Sequence, residues 1–310
     1  MSEFQNDVYL IFGGKTGWIG GKLIELLTEQ GKKFHVADSR TYNRADVLAE
    51  FEKYKPTHVL NAAGVTGRPN VDWCEDHRME VLRSNVVGVL TVADICAERN
   101  VHHLLYATGC IFEYDAAHTI GGKGFTEEDS ANFHGSYYSH TKAMAEDMLK
   151  AYPNTCTLRV RMPISDDLSA RNFVTKIVKY DKVVDVPNSM TVLYELLPAS
   201  LCMAQKKLVG IYNFCNPGAI SHNEVLALYK KHVDPDYTWN NFTLDEQAQI
   251  LKAGRSNNTL EHDKLMSALG EDASMVNEIH VAVEKCMIRM RANLEADGNF
   301  PACLPKRTPK

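Results

Sequence analysis

The sequence lacks the patterns that mark several classes of protein. Its 310 residues include 34 Lys and Arg against 39 Asp and Glu, and the formal net charge of −5 gives no basic surface for nucleic acid or an anionic membrane. Eight cysteines form no Cys-x-x-Cys pair and no Cys/His spacing typical of a metal site, which predicts reduced thiols and no bound metal. There is no basic-then-apolar leader and no apolar run of membrane-spanning length. We therefore expect a globular protein of the cytoplasm.

What the sequence does contain begins with a glycine-rich turn. The apolar run Val8–Phe12 has the length of a strand, glycines follow at positions 14, 17 and 20, and apolar residues then recur at helical spacing. Glycines at a strand-to-helix turn let the backbone approach a pyrophosphate, whose charge the helix N-terminus attracts. A bare structural turn is the alternative. The pattern favours a dinucleotide site with these cofactor-binding residues: Gly14, Gly17, Trp18, Ile19 and Gly20.

Strand-like and helix-like segments alternate through the first half of the chain. Short apolar runs at 34–37, 58–61, 103–107 and 157–162 are separated by helical patterns at 45–54, 75–99 and 138–150. This alternation predicts an α/β fold with a Rossmann-type, doubly wound parallel sheet, and ligands beyond the carboxyl ends of its strands. We expect a cofactor domain mainly in residues 1–163, a smaller substrate lobe with interleaved last strands in 164–298, and a flexible tail in 299–310.

A Tyr-x-x-x-Lys pair lies on the helix predicted after the fourth strand. Residues four apart share one helix face, so Tyr138 and Lys142 should point into the same crevice. An ammonium beside a phenol lowers the phenol pKa from about 10 and suits the phenol to acid–base work. Thr108, at the end of the fourth strand, is placed to bind a carbonyl that is being reduced. The position of the pair favours catalysis over the alternative, an exposed helical pair.

Longer motifs resemble a known family. With its glycine turn, Thr108, Tyr138 and Lys142, the chain is similar to extended short-chain dehydrogenase/reductases that act on nucleotide sugars. Finer motifs resemble the bifunctional UDP-4-keto-6-deoxy-glucose 3,5-epimerase/4-reductases of UDP-rhamnose synthesis. The motifs lie at 61–75, 106–115, 159–164 and 171–176, in a similarity that runs from about residue 8 to 290. Plant members often carry a dehydratase domain in front and this chain has none, which implies that a separate 4,6-dehydratase supplies the keto sugar.

The resemblance implies roles for further cofactor residues. It places Arg40 just past the second strand, in the turn where an arginine accepts the 2′-phosphate of NADPH. Asp38, two positions earlier, would instead suit the ribose of NADH, and a surface arginine is a further alternative. NADPH is the favoured cofactor. Other implied cofactor contacts are Asn61, Ala62, Ala63 and Pro163.

The resemblance also implies an epimerisation site. A 4-keto group makes the protons on carbons 3 and 5 acidic, and inversion needs a base on one face and a proton donor on the other. Cys110, two residues beyond Thr108, is the implied base, and Lys176 is the implied donor. An inert buried cysteine and a solvated helix lysine are the alternatives. Implied substrate contacts, each of which could equally be a surface ion pair, are Arg68, Asn172 and Arg255, besides Thr108.

Together these features imply an NADPH-dependent enzyme, expected as a homodimer, that converts UDP-4-keto-6-deoxy-glucose into UDP-β-L-rhamnose. A dTDP-4-keto-rhamnose reductase and an enzyme like GDP-fucose synthase are the alternatives with related chemistry. A non-enzymatic alternative is a cofactor-binding regulatory subunit, like the β-subunit of methionine adenosyltransferase. The presence of Thr108, Cys110, Tyr138 and Lys142 together argues against that subunit.

Overall fold

A computed structural model describes residues 7–298 and 300–305. In chain order, the strands of the described residues are β1 Val8–Phe12, β2 Lys33–Val36, β3 His58–Asn61, β4 His102–Tyr106, β5 Thr155–Val160, β6 Lys182–Val183, β7 Gly210–Phe214 and β8 Asn240–Asn241. Six of them form one sheet in the order β2-β1-β3-β4-β5-β7, and every neighbouring pair is parallel. β6 and β8 form a separate parallel pair. The predicted doubly wound sheet is confirmed.

Helices cover both faces of the large sheet and build a second lobe. They are α1 Trp18–Glu29, α2 Arg44–Tyr54, α3 Trp73–Asp76, α4 Arg78–Leu82, α5 Gly88–Glu98, α6 Tyr137–Leu149, α7 Phe173–Ile177, α8 Leu193–Gln205, α9 His222–His232, α10 Leu244–Ile250, α11 Asp263–Leu269 and α12 Ile279–Ala296. Among the described residues, no helix combines the length and the apolar character that a membrane crossing requires.

The segment 75–99, predicted as one helix, is interrupted. His77, with φ −120° and ψ 40°, separates α3 from α4, and a π-helical turn at Arg83–Val87 leads into α5. From this turn the buried Asn85 side chain accepts a hydrogen bond from the Val65 N–H and donates one to the Val65 carbonyl, both at 2.8 Å. The apolar spacing of the segment could not predict these long-range bonds. π-Helical turns frequently occur at functional sites.

The hydrophobic core has two main parts. One packs on the sheet and takes in α1, α8 and α11, whereas the other lies in the second lobe around α7, α9 and α12. Because α8, β7 and α11 all follow residue 163 and still pack on the sheet side, no single cut in the chain separates the two parts. From the predicted tail, Phe300, Cys303 and Leu304 pack against the second core. Residues 299 and 306–310 of that tail lie outside the described residues.

The strand order reverses between β1 and β3, which is where such sheets bind ligands. Phe12 and Asn61 are register partners, so the turns that follow the two strands lie side by side. Gly13 has φ +78°, and a Cβ on it would lie 2.7 Å from the Ala62 carbonyl carbon. Only glycine fits this close approach of two turns, which forms the floor of a crevice.

Candidate active site

A cavity of about 1360 Å³ runs from the glycine turn to the second lobe. Ordinary small-molecule sites are roughly 300–1,000 Å³, so this one has room for more than one ligand of that size. Its lining is rich in cations although the whole chain is acidic: the described residues that line it include two carboxylates, Asp181 and Glu246, and seven basic side chains. Such a lining attracts ligands with several phosphates. The basic residues are Lys15, Arg68, Arg171, Lys176, Lys179, Lys182 and Arg255.

The glycine turn fits a pyrophosphate. The Gly17 N–H donates to the Gly13 carbonyl at 3.1 Å, and a Cβ on Gly17 or Gly20 would lie 2.2 or 2.3 Å from that oxygen. α1 starts after Gly17 without a side-chain cap, so its first N–H groups are available to an anion. Trp18 donates from Nε1 to Asp167 at 3.1 Å and, like Ile19, packs on the sheet-side core. These two side chains therefore fix the turn.

Thr108 and Tyr138 form a buried hydroxyl pair at the end of β4. Their side chains are hydrogen-bonded to each other, and 5% of Thr108 and 8% of Tyr138 are exposed. Ser136 caps α6 by accepting from the Ser139 N–H at 3.1 Å, which starts the helix one turn before Lys142. Burial, followed by the nearby Cys110 thiol, raises the pKa of Tyr138, and the Thr108 hydrogen bond opposes the rise. The phenol is therefore protonated at neutral pH.

The predicted lowering of the Tyr138 pKa by Lys142 is wrong for this arrangement. The Lys142 Nζ lies 6.0 Å from the centre of the Tyr138 ring, and burial of the phenol is the largest cause of its raised pKa. Lys142 is itself only 8% exposed, and burial lowers its pKa to about 8. Its Nζ lies beside Gly64, where a Cβ would be 3.3 Å from Nζ and 3.4 Å from the Asn85 Oδ1. The π-helical turn thus brings Asn85 next to the lysine.

Cys110 lies close enough to Lys176 to influence the charge of the lysine. The half-buried Cys110 donates its N–H to the Thr108 Oγ1 at 3.1 Å, and its Sγ accepts from the Arg161 Nη1 at 3.0 Å. Lys176, on α7, lines the cavity. Burial and then the Arg171 charge lower the pKa of Lys176, while Cys110 acts in the opposite direction. The structure thus brings the thiol and the ammonium into one region.

The other predicted residues have varied surroundings. Arg68 is exposed and lines the cavity, and Arg255 lines it while paired with Asp72 at 2.9 Å. Arg40 is exposed beyond β2 and is not among the cavity-lining residues.

Asn61 is buried, and its Oδ1 accepts from the Ala63 N–H at 3.2 Å, which shapes the turn that includes Ala62. The Pro163 carbonyl accepts from the Phe173 N–H at 3.0 Å, at the start of α7.

Asn172 is not among the residues that line the cavity, and its contact with the substrate stays a prediction. The residue is fully buried as the N-cap of α7, and its Oδ1 accepts from the Val174 N–H at 3.2 Å. Its Nδ2 donates to the carbonyls of Ser165 and Asp167, both at 2.7 Å. Because these bonds occupy the amide, Asn172 fixes the start of the helix that presents Lys176.

Several residues of the site were not predicted from the sequence. Lys15 is one of the residues of the glycine turn itself, and Arg171 and Lys179 line the cavity on either side of Lys176 in the sequence. The sequence did carry a signal for these three residues, because each is a basic residue within or next to a motif. Asn85 and Arg161 gave no comparable signal, because their roles depend on contacts with segments distant in the chain.

Residues 10–178 match the model of the NAD dependent epimerase/dehydratase family, which covers the glycine turn, Thr108, Tyr138, Lys142 and Lys176. The chain belongs to this family. A relative in Arabidopsis thaliana, named a bifunctional dTDP-4-dehydrorhamnose 3,5-epimerase/dTDP-4-dehydrorhamnose reductase, is 58% identical over 85% of this chain and 88% of its own length. The resemblance inferred from the motifs is confirmed.

Two further relatives extend the comparison. A trifunctional UDP-glucose 4,6-dehydratase/UDP-4-keto-6-deoxy-D-glucose 3,5-epimerase/UDP-4-keto-L-rhamnose-reductase of Arabidopsis thaliana is 55% identical over 86% of this chain, which spans 40% of that protein. The solved structure of the L780 UDP-rhamnose synthase from Acanthamoeba polyphaga mimivirus superposes with a TM-score of 0.86 at 38% identity, covering 91% of this chain and 99% of that one.

Proposed function

We propose that this protein epimerises UDP-4-keto-6-deoxy-D-glucose at carbons 3 and 5 and reduces the 4-keto group with NADPH, giving UDP-β-L-rhamnose. The observation that supports this most is the joint location of Thr108, Tyr138 and Cys110 at the end of β4, with Lys176 near the thiol and a cation-rich cavity alongside. The named activities of the relatives point the same way. The substrate is the product of a 4,6-dehydratase, an activity that the trifunctional relative's name includes.

The glycine turn and its neighbours would bind the dinucleotide. The uncapped start of α1 attracts the pyrophosphate, and the Lys142 Nζ lies beside Gly64 in the turn that follows β3. The Asp38 carboxylate forms an ion pair with Lys15, which makes it a weaker acceptor for ribose hydroxyls. The Arg40 guanidinium has no ion-pair or hydrogen-bond partner within the described ranges, and it is free to bind a 2′-phosphate. When bound, NADPH supplies the hydride for carbon 4.

Reduction of a ketone needs a proton for the developing alkoxide. The raised pKa of Tyr138 keeps its hydroxyl protonated at neutral pH, which is the form that donates. Thr108 is hydrogen-bonded to the same hydroxyl and orients it. The two hydroxyls bind the 4-keto oxygen, and Tyr138 delivers the proton as the alkoxide forms.

Epimerisation uses the same carbonyl before its reduction. Polarisation of the 4-keto oxygen by Thr108 and Tyr138 makes the protons on carbons 3 and 5 removable. At each carbon the Cys110 sulfur takes the proton and Lys176 returns one from the other side of the ring, and exchange with solvent restores both groups before the next inversion. The lowered pKa of Lys176 makes its ammonium a more ready donor.

The test uses nucleotide sugar in heavy water without NADPH, because proton removal does not require hydride. We expect deuterium at carbons 3 and 5 with the unaltered protein and loss of exchange at both in Cys110→Ser. Lys176→Ala should retain part of the exchange and invert poorly. Cys202→Ser is the matched control, because Cys202 is equally half-buried but lies on α8, outside the cavity lining, and it should exchange normally.

Full exchange in Cys110→Ser would show that Cys110 is not the base. The same protein is then given NADPH, and the product is identified by nuclear magnetic resonance. Parallel reactions with UDP and dTDP sugars show which nucleotide the enzyme prefers. Both are needed because the name of the 58% identical relative specifies a dTDP sugar. Reduction of dTDP-4-keto-rhamnose without any exchange would support the plain reductase instead.

A further inference from the structure

Two arginines at the end of β5 are buried but have different partners. Arg159 is 2% exposed and forms a two-point ion pair with Glu146, with Nε–Oε2 at 3.0 Å and Nη2–Oε1 at 2.7 Å. Arg161, two positions later, has no exposed surface, and no carboxylate of the residues seen in the structure lies within ion-pair distance of it. A buried charge without a counter-charge is costly.

The partners of Arg161 are neutral oxygens and one sulfur. Its Nη2 donates to the Asn188 Oδ1 and, at 3.1 Å, to the Ser256 carbonyl. Its Nη1 donates to the Ser256 Oγ at 3.2 Å and to the Cys110 Sγ at 3.0 Å. The buried Nε has no hydrogen-bond partner in the described chain. The sulfur is the one atom in this set that becomes an anion by losing a proton.

We propose that the Cys110 thiolate is the counter-charge of Arg161, and that Arg161 is a positioning residue that keeps Cys110 ionised. A guanidinium does not lose its proton in proteins and offers only donors, so the sulfur must accept from it. A thiolate accepts far better than a neutral thiol, and the contact therefore favours the ionised form. The consequence for epimerisation rests on the proposed function, in which Cys110 removes the sugar protons.

Arg161 is the charged residue that donates a hydrogen bond to the Cys110 sulfur. Lys176 adds a second positive charge through space and lines the cavity. Tyr138 and Cys215 also face the thiol, and burial raises the pKa of both, that of Cys215 to about 12, so both are neutral near pH 7.

The arginine stem is fixed by the glycine that precedes the cysteine. A Cβ on Gly109 would lie 2.8 Å from the Arg161 Cγ and 2.6 Å from the Leu260 Cδ1. The stem therefore packs directly over the backbone that connects Thr108 to Cys110. This contact sets the position of the guanidinium relative to the sulfur without any contribution from the substrate.

The test measures alkylation of Cys110 by iodoacetamide across pH 5 to 9 in the full chain, followed by peptide mass spectrometry. In Arg161→Met we expect roughly a tenfold slower reaction at pH 7, which corresponds to about one pH unit in the profile. Arg161→Lys keeps the charge, and its Cys110 alkylation rate should lie between those of the unaltered protein and Arg161→Met. Cys202, alkylated in the same samples, is the internal control. Arg159→Met removes the other buried arginine, and if it folds it should leave the Cys110 profile unchanged.

An unchanged Cys110 profile in Arg161→Met would overturn the inference. Methionine fills a buried site without a charge, and melting curves check its fold. If that variant does not fold, Gly109→Ala takes its place, because it displaces the Arg161 stem and keeps the charge. Unchanged alkylation in Gly109→Ala overturns the inference equally.

Slower alkylation in Arg161→Met, together with intact deuterium exchange in Cys110→Ser, would support the ionisation by Arg161 and contradict the base role of Cys110. If Cys110→Ser loses exchange while alkylation in Arg161→Met is unchanged, Cys110 is supported as the base and the effect of Arg161 on its ionisation is contradicted.

Discussion

Arg255 donates from Nη1 to the Asp72 carboxylate at 2.9 Å, and this ion pair joins the loop after α10 to the start of α3. The Ala253 N–H donates to the same oxygen at 3.1 Å. Burial alone would raise the pKa of Asp72, but the Arg255 hydrogen bond and charge outweigh it and hold that pKa below its usual range. Since Arg255 also lines the cavity, an incoming diphosphate and Asp72 compete for one guanidinium.

The first prediction concerns this competition. Arg255→Ala should raise the Michaelis constant for the nucleotide sugar by roughly 10- to 100-fold, the worth of a hydrogen bond to a charged group. Turnover should change little, because such binding is equal in the ground and transition states. Asp72→Asn frees the Arg255 guanidinium, and its Michaelis constant for the nucleotide sugar should equal that of the unaltered protein or be lower. Steady-state kinetics at saturating NADPH measure both.

Lys252→Ala is the matched control for the Arg255 variant. Lys252 forms an ion pair with Asp76 between the same two segments, but it is exposed and is not among the cavity-lining residues. Its removal should leave the Michaelis constant near the unaltered value. An equal rise in Lys252→Ala would mean that the position of the loop, and not a contact from Arg255, sets the affinity.

The features that were predictable from the sequence are those fixed by local pattern. The third strand occupies His58–Asn61 as its apolar run indicated, and the glycine turn joins β1 to α1. Tyr138 and Lys142 are both buried on α6, since four-residue spacing alone places them on one face. Such features depend on residues within a few positions of each other, which a single sequence displays.

The features that were not predictable depend on contacts between distant segments. Arg255 and Asp72 are 183 positions apart, and Arg161 and Cys110 are 51 apart. Asn172 has the residue type of a ligand contact, but the chain folds Ser165 and Asp167 against its amide. The Tyr138 pKa rises chiefly because the phenol is buried, and the degree of burial is a property of the packed fold.

The second prediction concerns cofactor choice. Arg40→Ala should raise the Michaelis constant for NADPH about tenfold or more and change that for NADH little, because only NADPH carries a 2′-phosphate. Arg44→Ala is the control, since Arg44 starts α2 nearby but forms ion pairs with Asp94 and Glu98, both at 2.6 Å. It should affect neither cofactor. If both constants move together in Arg40→Ala, the guanidinium does not recognise that phosphate.

The last prediction concerns the proton donor. Tyr138→Phe keeps the buried ring and removes the hydroxyl that is bonded to Thr108, so turnover should fall roughly 10²- to 10⁴-fold, the usual contribution of a general acid. The NADPH dissociation constant, measured by fluorescence, should stay within about twofold, because the ring still fills its site. Lys142→Ala should impair both turnover and NADPH binding, since its Nζ lies beside Gly64 in the turn that follows β3.

The neighbouring tyrosine provides the control for that experiment. Tyr137 precedes Tyr138 on α6, is partly buried, and packs its ring against the Arg78 guanidinium at 5.0 Å. Tyr137→Phe keeps this contact and should retain near-normal turnover. Comparable losses in the two variants would point to helix packing as the cause, whereas near-normal turnover in Tyr138→Phe would remove this residue from the mechanism. A hydride transfer that still proceeds there would then need its proton from Thr108 or from water.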